Sequence, residues 1–236
     1  MTTRTTADPH FAWPPTDATT PLAVLVSGGL DSSILLGEAL RSYPEVHPIY
    51  VRVGSFWEPT ELKYLTRFLN TIASPKLRPL TVLAQPIDDI YGSHWSLTGH
   101  NVPGADSPDE AMFLPGRNVL LLAKPLLWCH RHHIPTLATA PLVTNPFPDA
   151  SAAFYDGFAA MVNRAVDGSV HVLRPYIQLG LFKSDVLKRG RGMPLHHTFS
   201  CIQPVKDLHC GRCNKCAERQ HGFADAGMPD PTNYHE

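Results

Sequence analysis

One stretch limits the choice of folds more than any other: Leu22-Ala23-Val24-Leu25-Val26-Ser27-Gly28-Gly29-Leu30-Asp31-Ser32-Ser33. The run from Leu22 to Val26 has no polar alternation, which describes a strand buried on both faces of a parallel sheet. After Asp31 the apolar positions Ile34, Leu35, Leu36, Ala39 and Leu40 recur at helical spacing. Strand, loop and helix therefore follow one another directly. The loop lies at a helix N-terminus, where unpaired backbone N–H groups and the positive end of the helix dipole meet. Gly28 and Gly29 allow consecutive N–H groups to curl around an anion, and Ser27, Ser32 and Ser33 add hydroxyl donors. The expected ligand is a nucleotide phosphate, cradled by Ser27, Gly28, Gly29, Leu30, Asp31, Ser32 and Ser33.

The loop carries no G-x-x-x-x-G-K-[ST] pattern and no G-x-G-x-x-G. SGGLDSS instead resembles the pyrophosphatase loop of enzymes that split ATP into AMP and pyrophosphate while adenylating a substrate. Downstream, strands are expected at Val46 to Val53, Leu77 to Leu83 and Ile134 to Ala140, and Val170 to Leu173 carries the chain on toward Leu181. Helices are expected at Pro59 to Ala73, from Arg117 onward with a bend at Pro125, and over residues 150 to 166. This alternation predicts an α/β, doubly wound parallel sheet whose ligands sit beyond the carboxyl ends of the strands. Residues 85 to 115 hold five acids and no Lys or Arg, and read as a long functional loop or lid.

The domain expectation is a loosely draped tail over residues 1 to 20, a nucleotide-binding domain over 21 to 190, and a small C-terminal metal-binding lobe over 191 to 236. Neither a signal-peptide core nor a membrane span appears, since the apolar segment from Val119 to Trp128 is broken by Lys124 and Pro125. A cytoplasmic location is the expectation. The net charge of −1 supplies no general basic field, although residues 183 to 219 hold eight Lys or Arg against three acids. Solvated surface or phosphate handling accounts for that surplus without nucleic acid. A chain of this size commonly pairs symmetrically, so a homodimer is an expectation.

Four of the five cysteines crowd the C-terminus as Cys201, Cys210, Cys213 and Cys216, a C-x8-C-x2-C-x2-C pattern. Three thiolates can curl around one ion and the upstream cysteine completes a tetrahedral all-sulfur site. Zinc is the first expectation, with an iron–sulfur cluster as the alternative. His196, His197, His209 and His221 lie nearby, but four cysteines already saturate the ion. Cys129, His130, His132 and His133 read as a helix end rather than a ligand set, because adjacent helical positions cannot converge on one metal. Asp149 is read either as a helix cap or as a substrate contact, and Ser184 as a cap of a short helix.

SGGLDSS, the mid-chain Pro115-Gly116-Arg117-Asn118, and the terminal pattern Ser200-Cys201, Cys210 to Cys216, Arg219, Gly222-Phe223, Ala226-Gly227 and Asp230-Pro231-Thr232 together resemble the 7-cyano-7-deazaguanine synthase family of queuosine biosynthesis. The resemblance spans about residues 21 to 234. It implies an adenine nucleotide alpha hydrolase-like fold and ATP, Mg2+ and Zn2+ as cofactors. The implied reaction adenylates the carboxylate of 7-carboxy-7-deazaguanine, lets ammonia displace AMP, and adenylates the resulting amide to drive dehydration to the nitrile. Asp31 would meet magnesium, and Lys183 and Arg117 would steady the phosphates or the adenylate.

The chain departs from the family where substrate should bind. The usual Gly-Gln-Arg-His becomes Gly54-Ser55-Phe56-Trp57, although Glu61-Leu62 still match. The usual Tyr-Pro-Asp-Cys-Arg-x-x-Phe becomes Phe147-Pro148-Asp149-Ala150-Ser151-Ala152-Ala153-Phe154. Phe56, Trp57, Asn118, Phe147 and Asp149 are therefore the expected substrate contacts. The altered pocket keeps open a relative that adenylates another carboxylate or joins a deazapurine to another amine. A non-catalytic zinc module binding RNA is the further alternative.

Overall fold

The apolar run near the start of the sequence becomes the central strand of a parallel sheet in the computed structural model, which describes residues 11–16 and 18–235. That strand, β1 (Leu22–Leu25), leads through the loop into α1 (Leu30–Ser42). Next come β2 (Val46–Arg52), α2 (Glu58–Thr71) and β3 (Thr81–Ala84), then two single-turn helices, α3 (Asp88–Tyr91) and α4 (Trp95–Thr98). The second half runs through α5 (Arg117–Arg131), β4 (Thr136–Ala138), α6 (Ala152–Val166), β5 (His171–Leu173), α7 (Pro175–Gln178), α8 (Lys183–Arg189) and α9 (Asn214–Asp225).

The five strands lie in the order β3-β2-β1-β4-β5, every pairing parallel. Strand order reverses between β1 and β4, so a crevice opens there beyond the carboxyl ends of the strands. Leu22, Ala23 and Val24 are fully buried, as a strand covered on both faces requires. One face packs under α1, α8 and the end of α9, through Ile34, Leu35, Val186 and Phe223. The other packs under α5 and α6, through Leu122, Leu126, Tyr155 and Ala159. Burial of this kind contributes about 25 cal/mol per Å² of apolar surface.

Several local expectations are corrected. The third strand begins at Thr81 rather than Leu77; Leu77 makes only an isolated bridge to Val46. Ser151, not Asp149, caps α6, its hydroxyl accepting from the Phe154 N–H at 3.2 Å. Ser184 is not a cap either: Phe182 holds that position, and its N–H donates to Asp185 Oδ2 at 3.2 Å. In the expected loose tail, residues 1–10 and 17 lie outside the described residues, but Trp13 is buried. Its Nε1 donates to the buried Glu38 at 3.0 Å, and Arg189 Nη2 donates to its carbonyl at 2.7 Å, which straps this segment over α1 and α8. The C-terminal segment shares the main core through Leu195, Phe223 and Ala226. Among the described residues no helix is long and apolar enough to cross a membrane.

Candidate active site

The loop after β1 is locked by its own side chains and by the C-terminal segment. The Ser27 N–H donates to Ser32 Oγ at 3.1 Å, and the Gly29 N–H to Ser27 Oγ at 3.3 Å. The Phe199 N–H donates to the Gly28 carbonyl at 2.7 Å. Gly28 has φ +74°, and a Cβ there would meet Leu65 Cβ and the Glu61 carbonyl oxygen at 3.3 Å, so α2 packs directly against the loop. No side chain caps α1, which leaves its first-turn N–H groups free for an anion.

Beside this loop, at the switch between β1 and β4, lies a cavity of about 400 Å³. Ser27, Gly29, Leu30, Asp31 and Ser32 line it, joined by Arg117, Asn118, Asp149 and Lys183. Gly28 faces α2 instead, and Ser33 is buried behind the loop with its hydroxyl unpartnered. A larger, shallow groove of about 870 Å³ crosses the far end of α1, near Arg41, Lys76 and Met193, and contains none of the motif residues.

Lys183, at the first turn of α8, lies 2.6 Å from Asp31 Oδ2 and 3.0 Å from Glu218 Oε1. Burial works against its charge, but Asp31 and Glu218 outweigh that effect and hold its pKa above the ordinary lysine value. Burial likewise disfavours the Glu218 carboxylate, yet Lys183 and Lys215 bring its pKa down to about 2. Asp31 Oδ1 is buried and unpartnered, the kind of hard oxygen that suits a magnesium ion or a phosphate-bound cation. The Arg117 side chain makes no hydrogen bond or ion pair among the described residues, so its guanidinium is free to meet an incoming anion.

The expected substrate contacts divide. Trp57 lines the cavity and stacks with Trp95, ring centroids 6.0 Å apart. Phe147 lines it and stacks on Phe113 at 4.8 Å. Asp149 and Asn118 also face it, but they hold each other: the Asn118 N–H donates to Asp149 Oδ2 at 3.0 Å, and Asn118 Nδ2 donates to the Asp149 carbonyl at 2.8 Å. Asp149 thus caps α5. Phe56 is the exception, 45% exposed and packed over Gly99 outside the cavity, because the chain turns its neighbour Trp57 inward. Residues 85–115 do form a wall, through Trp95, Ser96, Met112, Phe113 and Leu114.

Among the cavity residues not expected as site residues are Glu61, Lys215 and Glu218. Glu61 was legible in principle, since it stands one helical turn before Leu65 on the face of α2 that buries Leu65, Phe68 and Leu69. Lys215 and Glu218 read as part of a diffuse basic surplus.

The sulfurs of Cys201, Cys210, Cys213 and Cys216 lie within 4.8 Å of one another and all four residues are buried. Cys213 Sγ is 3.9 Å from Cys201 Sγ, and sulfurs about 2.3 Å from one tetrahedral ion would be spaced about that far apart. Hydrogen bonds from Cys201 and Cys216 lower the Cys213 thiol pKa, while the thiols of Cys201 and Cys216 are pushed up, so the first negative charge of the set settles on Cys213. The N–H groups of Gln203 and Cys210 each donate to Cys201 Sγ at 3.3 Å. The donor set therefore fits a soft metal ion. His209 is not a fifth ligand: it is buried among Tyr64, Phe199 and Tyr234, accepts from the Ser200 N–H at 3.1 Å, and burial pushes its pKa down to about 3. His132 stacks on Trp128 at 4.1 Å at the end of α5.

The sequence model of the family described as "Queuosine biosynthesis protein QueC" matches residues 22–227. A 7-cyano-7-deazaguanine synthase of Rhizobium leguminosarum bv. trifolii is 35% identical, over 90% of this chain and 91% of its own length. The corresponding enzyme of Syntrophobacter fumaroxidans is 30% identical, over 89% of this chain and 94% of its own. Among solved structures, a 4-thiouridine synthetase in complex with RNA and ATP is 14% identical, with a TM-score of 0.49, covering 91% of this chain and 47% of that one.

Proposed function

We propose, from the premise that this chain belongs to the QueC family of queuosine biosynthesis proteins, that it is an ATP-consuming 7-cyano-7-deazaguanine synthase. The observation that carries this reading is the convergence, in one cavity, of the loop after β1, Lys183 and the free Arg117. The substrate carboxylate of 7-carboxy-7-deazaguanine attacks the α-phosphorus of ATP and pyrophosphate leaves. Ammonia adds to the acyl carbon of the resulting adenylate, and AMP and a proton depart to give the amide. The amide oxygen attacks a second ATP, pyrophosphate leaves again, and loss of AMP and of both amide protons yields the nitrile.

The residues present suit these steps. First-turn N–H groups of α1 and the Ser27 and Ser32 hydroxyls would hold the departing pyrophosphate. Lys183 would neutralise negative charge developing at the phosphates, and Arg117 would clamp a phosphate or the substrate carboxylate. Asp31, through its unpartnered Oδ1, would hold magnesium, which supplies charge neutralisation on the polyphosphate. Cys201, Cys210, Cys213 and Cys216 would hold zinc, whose contribution is to fold and fix the C-terminal segment.

Purified protein incubated with ATP, magnesium, ammonium and 7-carboxy-7-deazaguanine should release AMP, and mass spectrometry should detect the nitrile. Absence of both overturns the assignment.

A further inference from the structure

Four carboxylates line the cavity, and three are already committed. Asp31 pairs with Lys183, Glu218 with Lys183 and Lys215, and Asp149 caps α5. Glu61 is different. The Tyr50 hydroxyl donates to its Oε2, and that partner is neutral. Among the described residues no ammonium or guanidinium comes within ion-pair distance of it. The charged groups that influence it are Arg117 on α5 and Glu58 on its own helix, which act in opposite directions and only through space. Burial of a carboxylate without a counter-ion raises its pKa to about 7.

A carboxylate kept in this state calls for a ligand that brings paired N–H donors. A cationic ligand would meet Lys183 and Arg117 in the same cavity, so the donors should be neutral and polar. Resting on the synthase reading above, we propose that Glu61 is the specificity-determining residue that accepts from the N1–H and 2-amino group of the deazaguanine ring. That edge presents two parallel N–H groups, which a carboxylate accepts as a fork, much as it accepts a guanidinium. The adenine of ATP offers a single amino group beside a ring nitrogen acceptor, and that lone pair would oppose the carboxylate. Glu61 therefore also works against adenine entering the acceptor subsite. The stacked pair Trp57 and Trp95 supplies flat apolar surface in the same cavity, suited to the ring faces. The aromatic replacement in Gly54-Ser55-Phe56-Trp57 thus leaves polar recognition to Glu61.

The test compares 7-carboxy-7-deazaguanine with the analogue lacking the 2-amino group, following AMP release by wild type, Glu61→Gln and Tyr50→Phe. Wild type should prefer the 2-amino substrate by about 10- to 100-fold in kcat/KM, the range for a hydrogen bond to a charged group. In Glu61→Gln the preference should shrink to about threefold or less, mainly through KM, with KM for ATP unchanged. Tyr50→Phe, which leaves the carboxylate in place, should keep the preference. Full discrimination by Glu61→Gln, or an equal loss of kcat on both substrates with discrimination intact, overturns the assignment. So does loss of preference in Tyr50→Phe, which would trace it to cavity shape. A wild-type protein inactive on 7-carboxy-7-deazaguanine removes the synthase reading and this one together, whereas an active wild type with an indifferent variant removes this one alone.

Discussion

Lys183 is an ammonium held between Asp31 and Glu218, at 2.6 and 3.0 Å, and all three line the cavity. Such an arrangement keeps a positive charge beside the phosphate loop without freezing it, because an incoming polyphosphate can take over from Glu218. Lys183→Met should therefore lower AMP release by about 10²- to 10³-fold, with circular dichroism unchanged. Glu61 makes a pH prediction of the opposite character to Glu218. Its pKa in the folded chain, about 7, exceeds the ordinary 4.5, so the folded state binds the proton more tightly. Its contribution is most favourable below pH 4.5, declines as pH rises from 4.5 to about 7, and is fully lost above that. Glu61→Gln should thus melt at a higher temperature than wild type at pH 8, and the gap should close toward pH 4.5. Glu218, lowered to about 2, stabilises above 4.5 and loses that contribution as pH falls toward 2. The phosphate loop and the thiolate set were legible in sequence because their chemistry depends on residues close together in the chain. Glu218 was not, because nothing local says that a helical carboxylate meets a lysine from another element; for Glu61 the helical spacing shows the buried face of α2 but not the cavity that this face borders.

The loop and α2 are fitted together at Gly28. With φ +74° and 3.3 Å to the nearest atoms of α2, Gly28→Ala would be strained in backbone and crowded in space. The expected cost is about 1–2 kcal/mol of stability, seen as a lower denaturant midpoint, together with a raised KM for ATP. Helices and strands of the sheet were readable from their periodicity, since each buries one continuous face. The ends of elements were less so. β3 is an edge strand, and beyond the single bridge from Leu77 to Val46 only Thr81 to Ala84 pair with β2, so the apolar residues from Leu77 gave the sequence a longer strand than the ladder supports. Capping followed the same logic: Asp149 stands near α6 in sequence but turns to the first turn of α5, a choice made by tertiary packing. Trp13 is a third case, since a Thr- and Pro-rich segment gives no sign that one aromatic anchors it to Glu38.

At the scale of the whole molecule, the thiolate site and the nucleotide cavity are joined by one helix. Cys213 is the N-cap of α9 and Cys216 lies in its first turn, while Glu218 reaches Lys183 and the buried Arg219 ties the helix to Thr198 and Thr232. Stripping metal with a chelator should lower the melting temperature and raise KM for ATP, and readdition of zinc should restore both. Metal analysis should find one ion per chain if the four sulfurs act as a set. Between the two ligands of α9 stands Asn214, whose N–H donates to the Pro103 carbonyl and whose Nδ2 donates to the Ser107 carbonyl, each at 3.0 Å. The stretch that continues into Met112, Phe113 and Leu114 at the cavity wall is thus hung from the metal loop. Proteolytic cleavage between residues 103 and 114 should accelerate on chelation before the sheet unfolds, and slow growth of that cleavage with the sheet would refute the linkage. If the four cysteines hold an ion, the tether would make nucleotide use answerable to metal supply: a chain deprived of that ion should keep its sheet and its phosphate loop, yet lose the fastening of its cavity wall.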